Sequence, residues 1–186
     1  SYSELYNLIV AELTQAIVNK IVDLALVEGD GTNGFKSIEK EADDKKIKKI
    51  TTKAPKTGTT PFADAIEEAV DFVRPTAGRR YLIVKAEDRR ALLDELRQAT
   101  ANAHVRIKND DAEIASEVGV DEIIVYTGTK AVKPTVLVDQ KYHIDMQDLT
   151  KVDAFEWKTN SNMILVETLT SGHVETYNAG AVITVA

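Results

Sequence analysis

The opening stretch restricts the fold most. From Leu5 to Val27 the chain is largely apolar, but Glu12, Lys20 and Asp23 interrupt it, so it does not read as a membrane span. Glu4, Glu12, Gln15, Asn19 and Asp23 recur at helical spacing along one narrow stripe. Leu5, Ile9, Leu13, Ile17, Ile21, Leu24 and Ala25 cover the rest, which predicts a helix with most of its circumference buried. Ser1, with Glu4 three residues on, has capping-box spacing, and Ser3 is the other candidate cap. Run from Ser3 to Glu28, the helix would measure about 39 Å at 1.5 Å per residue and would span a molecule of this size. Gly29 is expected to take the left-handed position that ends it, with Asp30 to Gly34 continuing as turn residues.

Beyond this rod the pattern is mixed. Thr60-Pro61 opens a second helix, carrying Phe62, Ala65, Ile66, Ala69, Val70 and Val73 inward and stopped by Pro75 and Gly78. Tyr81 to Val84 reads as a short buried strand, and Glu87 to Ala99 as a helix facing the core through Leu92, Leu93 and Leu96. A shorter helix follows Asp110 or Asp111, through Ile114 and Val118. Strands are expected at Ile123–Tyr126 and Thr135–Val138, punctuated by Gly128 and Pro134. After Phe155 to Lys158 the pattern becomes β: Met163 to Thr170, a Ser171-Gly172 turn, His173 to Tyr177, a turn at Asn178 to Gly180, then Ala181 to Val185. The expected ending is a strand meander. No internal repeat stands out, which argues against a solenoid or propeller.

Charge and composition exclude several classes of function. With 186 residues, 44% apolar and 28% charged, the chain is long enough for a core and too apolar to be disordered. A net charge of −7 argues against a dedicated nucleic-acid binder, and the absence of cysteine removes disulfide and thiolate chemistry. The one basic stretch, Lys36 to Thr60, has eight lysines against four carboxylates. It lacks arginine and aromatic residues for stacking on bases, and reads as a solvated connection.

Catalytic patterns are missing as well. His104, His143 and His173 are isolated in sequence, without HxxxH, HxH or HExxH spacing for a metal. His143, in the alternating run Tyr142 to Asp145, reads as a surface or hydrogen-bonded strand histidine. The turn Gly29 to Gly34 follows a helix, so it meets the negative end of the dipole where a phosphate loop would meet the positive end, and it lacks the calcium-loop ligands. Lys56 to Thr60 and Thr127 to Lys130 fall short of GxxxxGK[ST] and read as turns. No serine sits in a GxSxG elbow. No catalytic, cofactor-binding or metal-ligating residue is assigned, and no cofactor is expected.

The order of elements carries a resemblance. A long helix ending in Val27-Glu28-Gly29-Asp30-Gly31-Thr32 precedes a mixed middle and a terminal β region closing with Ala181 to Val185. Further matches are Tyr81 to Val84 followed by Glu87-Asp88-Arg89-Arg90-Ala91-Leu92-Leu93, the strand Thr135 to Asp139, and Asn162 to Glu167 running on to Gly172-His173-Val174-Glu175. Together these resemble the major capsid protein of tailed phages, the Hong Kong type fold. The resemblance implies an α+β fold with a long spine helix, a mixed α/β axial domain and long antiparallel peripheral strands. It implies residues 1–56 and 161–186 as the peripheral domain and 57–160 as the axial domain, with loops near Gly78, Gly128 and Pro134 as contacts around five-fold and six-fold axes. The family's N-terminal arm and long hairpin loop normally precede the spine helix, so an N-terminally truncated chain is expected.

The implied function is self-assembly into the icosahedral shell of a tailed phage or prophage, with no enzymatic activity. Its implied partners are copies of itself, in hexamers and pentamers, and other virion proteins, without membrane association or specific nucleic-acid recognition. The implied location is the virion capsid, assembled in the bacterial host cytoplasm. Asn162 falls where some family members crosslink to a lysine, but the partner lysine would lie on the missing hairpin loop. Two other readings stand beside this one: an encapsulin-like nanocompartment shell and a small α/β enzyme or nucleotide-binding domain.

Overall fold

The computed structural model describes residues 1–32, 34–103, 106–147, 150–156 and 161–186. The fold is α+β. Helix α1, Tyr2–Asp23, starts from a capping box: the Ser1 side chain accepts from the Glu4 amide and the Glu4 carboxylate reaches back to Ser1. The helix continues as a π-helical turn, Leu24–Glu28, closed by a 3.0 Å bond from the Gly29 amide to the Leu24 carbonyl. The left-handed conformation expected of Gly29 is not found; its φ is −59°. Glycine is needed there because a Cβ would stand 2.7 Å from the Leu24 carbonyl oxygen and 2.8 Å from that of Phe35. The left-handed positions are Gly31 and Gly34.

The body is a five-stranded sheet in the order β1-β9-β4-β2-β3, built from β1 (Ile47–Thr51), β2 (Arg80–Lys85), β3 (Glu122–Tyr126), β4 (Thr135–Val138) and β9 (Gly180–Thr184). The β1–β9 and β2–β3 pairs are parallel, while β4 runs antiparallel to both β2 and β9. Helices α2 (Pro61–Val73), α3 (Ala86–Ala99) and α4 (Asp111–Val118) form where the apolar spacing placed them. They share a core with the sheet through Ile66, Leu82, Leu92, Leu93, Ile114 and Val136, all fully enclosed. A second, smaller core joins Leu26, Ile38, Ile47, Val174 and Val182.

Strand β1 corrects the reading of the basic stretch as a connection. Ile47 belongs to one core and Ile50 to the other, so the strand is buried on both faces. Its lysines are used locally: Lys48 pairs with Glu68 of α2 at 2.8 Å, and Lys49 Nζ donates to the carbonyls of Ile38 and Glu39. Long aliphatic stems let these lysines flank an apolar strand while their heads reach carbonyls and carboxylates.

The expected terminal meander is also corrected. Strands β5 (Tyr142–Met146) and β6 (Thr150–Glu156) run out, and β7 (Ser161–Glu167) and β8 (Thr170–Val174) return, forming one antiparallel ribbon. Ser171 and Gly172 lie within β8, opposite Asp145 and Ile144, and do not form a turn. Gly172 reads as a turn signal in sequence, but here it answers close packing: a Cβ would meet the rings of Tyr142 at 2.7 Å and Phe35 at 2.8 Å. Strand β9 then leaves the ribbon for the body, turning at Asn178, whose φ is 53° and whose side-chain amide donates to the Phe72 carbonyl.

The expected burial of α1 is the fourth correction. Val10 and Ile21 are buried and the helix lies against β7, but Leu5 and Leu8 are 56% and 57% exposed. Leu13, Val18 and Val22 are exposed as well. A two-stranded ribbon can cover one side of a helical cylinder, and within a single copy the other sides remain bare.

Candidate functional site

The surface most clearly built for use lies where α1 meets the body. Val18 and Val22 of α1, Ile83, Ile124 and Leu137 of the sheet, and Ile144 of the ribbon line an open groove of about 550 Å³. Val18, Val22, Ile124 and Ile144 are each exposed in it. Gln15 and Asn19 of the polar stripe border it on α1, and Leu5 and Leu8 are exposed further along the helix.

Polar links fix the angle of α1 at the end of the groove. The Tyr126 hydroxyl donates to Asp23 at 2.5 Å and accepts from the Lys130 amide at 3.2 Å. Glu28 accepts Lys20 at 2.6 Å and Lys130 at 2.9 Å, so the β3–β4 connection is tied to the last turns of the helix. The hydrogen bond from Lys20, then that from Lys130, pulls the Glu28 carboxyl down to about 2. Partial burial, then the bond to Asp23, raises the Tyr126 hydroxyl above the usual phenol value. From the other side Lys40 Nζ donates to the Glu28 carbonyl at 2.9 Å.

The Gly-Asp-Gly turn fastens the helix end to the ribbon. Asp30 accepts from the Thr32 amide at 2.9 Å and the Thr32 hydroxyl at 2.6 Å, and its backbone bridges to Lys36. Phe35 bridges in turn to Gly172 of β8, and the Gly172 amide donates to the Gly34 carbonyl at 2.9 Å. The Tyr142 hydroxyl of β5 donates to the Lys36 carbonyl, and burial pushes that hydroxyl strongly upward. Helix and ribbon are therefore joined at this turn as well as along β7.

The loops expected as contacts fall at two ends of the sheet. Gly128 and Pro134 lie in the β3–β4 connection, beyond the carboxyl end of β3. Gly78 lies before β2, beside Val138 at the end of β4. Asn162 is in β7, in register with Phe155. In the turn Lys56 to Thr60, Gly58 has a φ of 77° and the Thr59 amide donates to the Lys56 carbonyl. His143 and His173 stand opposite each other on β5 and β8, a pairing that twenty-nine intervening residues hide from sequence reading. His104 lies outside the described residues.

This arrangement, a helix braced by a β ribbon beside an α/β body, has a counterpart among solved structures. The chain aligns over 96% of its length with 63% of a chain in the structure of the satellite phage P4 procapsid including size determination (Sid) protein, at a TM-score of 0.53 and 13% identity. In sequence it is 93% identical over all 186 residues to the capsid protein of Lactococcus phage p2, and equally to that of Lactococcus phage SK1. It spans 47% of the length of each, about half. No family model matches the chain. Over its whole length the chain is thus similar to phage capsid proteins, in line with the resemblance read from its sequence.

Proposed function

We propose that the chain is the portion of a tailed-phage major capsid protein that tiles the icosahedral shell through contacts between copies, in hexamers and pentamers. The observation that carries this reading is the groove, with Val18, Val22, Ile124 and Ile144 exposed in it, left bare in a chain whose relatives are capsid proteins. Monomeric proteins rarely keep a contiguous apolar surface of this kind uncovered. Heterologous contacts close into rings when their rotations close, and several modest contacts per subunit give a durable shell.

In this proposal the peripheral part is α1 together with the ribbon, and the axial part is the five-stranded sheet with α2, α3 and α4. A boundary at 160/161 would fall between the two arms of one ribbon, because 150–156 pair with 161–167. The pairing therefore favours assigning 142–174 to the peripheral part and returning β9 to the axial one. Virion location, assembly in the host cytoplasm and contact with other virion proteins are parts of the same proposal. The net charge of −7 supports a shell wall that does not hold packaged nucleic acid by its phosphates.

Expression of the full-length protein followed by negative-stain electron microscopy tests the reading. Uniform hollow particles or ring capsomers are the expected result. A protein that stays monomeric at every concentration and salt condition overturns it.

A further inference from the structure

The ribbon brings together two histidines that the sequence separates. His143 and His173 are direct cross-strand partners, their ring centroids 5.9 Å apart and their planes inclined by 69°. Each ring is held by a carboxylate two residues along its own strand. His143 Nε2 lies 3.0 Å from Asp145 Oδ1, and His173 Nε2 lies 2.9 Å from Glu175 Oε1. An ionised carboxylate only accepts, so both Nε2 atoms carry the proton in the neutral rings and both Nδ1 atoms keep their lone pairs. No described residue hydrogen-bonds to either Nδ1.

Metal-bound histidines commonly hold one ring nitrogen against a carboxylate while the other is the ligand, and both rings here have that carboxylate contact. Two imidazoles bound to one ion at about 2.0–2.1 Å have centroids about 5 Å apart at a tetrahedral angle and about 6.4 Å apart when linear. The observed 5.9 Å lies within that range. Among the described residues no three His, Cys, Asp or Glu side chains are grouped as a metal cage, so the protein supplies two ligands and water the others. Both side chains are partly open to solvent, at 49% and 44%, which gives an ion direct entry.

We propose that His143 and His173 form a two-histidine clip for a divalent d-block ion such as zinc, clamping β5 to β8. Its position gives it a structural use. Three residues, 147–149, separate β5 from β6, whereas two, 168–169, separate β7 from β8, so the ribbon's register changes by one just beyond the clip. A bound ion fixes the register of the outer pair next to that change.

Titration of zinc chloride into the untagged full-length protein, followed by isothermal calorimetry at pH 7.5, tests the clip. The expected result is one binding event per chain that His143→Asn and His173→Asn each weaken at least tenfold and His104→Asn leaves unchanged. Asp145→Asn, which removes an orienting carboxylate, is expected to weaken it about tenfold. Both histidines sit on the ribbon surface, and circular dichroism of the variants verifies that they fold. Absence of this event in the wild type up to millimolar zinc, or its survival in both histidine variants, overturns the proposal.

Discussion

At the scale of single residues, Glu28 is the most heavily used side chain at the joint between α1 and the body, with Lys20 and Lys130 both on its carboxylate. Its folded value of about 2 lies below the roughly 4.3 of an unfolded glutamate. A depressed carboxylate stabilises the fold fully above the unfolded value and loses that contribution as pH falls through the folded one. The joint is therefore expected to stay paired at pH 5 and to release between about pH 4 and pH 2. Carboxyl-detected NMR should place the Glu28 midpoint near 2, and Lys20→Met or Lys130→Met should move it up toward the unfolded value. A wild-type midpoint at the unfolded value would remove these pairs from the account. None of this was legible in the sequence, because Lys130 and Tyr126 meet the helix only after β3 has been placed in the sheet. The same holds for Glu95, whose carboxylate accepts the amides of Phe62 and Ala63 at the start of α2. Thr60 precedes that helix as expected, but its side chain makes no cap hydrogen bond and Glu95 supplies the acceptor from α3.

At the scale of elements, local pattern was sufficient for the helices and insufficient for the ribbon. Ser1 and Glu4 announce the capping box of α1, and the leucines at 92, 93 and 96 announce the inner face of α3, because both signals lie within a few residues of each other. Strand β1 was hidden because two adjacent lysines, Lys48 and Lys49, separate Ile47 from Ile50, and burial on both faces is a property of the sheet and not of the five residues themselves. Gly172 was misread because glycine marks both turns and close approaches, and only the rings of Tyr142 and Phe35 distinguish the two. This makes Gly172→Ala diagnostic. The added methyl would overlap both rings, at a cost of about 1–3 kcal/mol from overpacking. Urea unfolding should show that loss, and hydrogen exchange should show it concentrated in β5 and β8. An alanine variant as stable as the wild type would contradict the packing described.

At the scale of the molecule, the account treats α1, the Gly-Asp-Gly turn and the ribbon as one braced unit standing beside the α/β body. Its exposed apolar strip, Val18 and Val22 on α1 with Ile124 and Ile144 across the groove, is the surface that other copies should cover. The groove could not be anticipated from the spacing of α1 alone, which pointed to a buried rod; what the spacing recorded was apolarity, and these residues by themselves leave part of it exposed. Cryo-electron microscopy of shells assembled from the full-length protein is the most direct measurement. The account predicts α1 lying along β7 within each subunit, with Val18 and Val22 packed beneath a neighbouring copy. Shells in which that strip faces open solvent, or in which α1 has left its own ribbon, would contradict it.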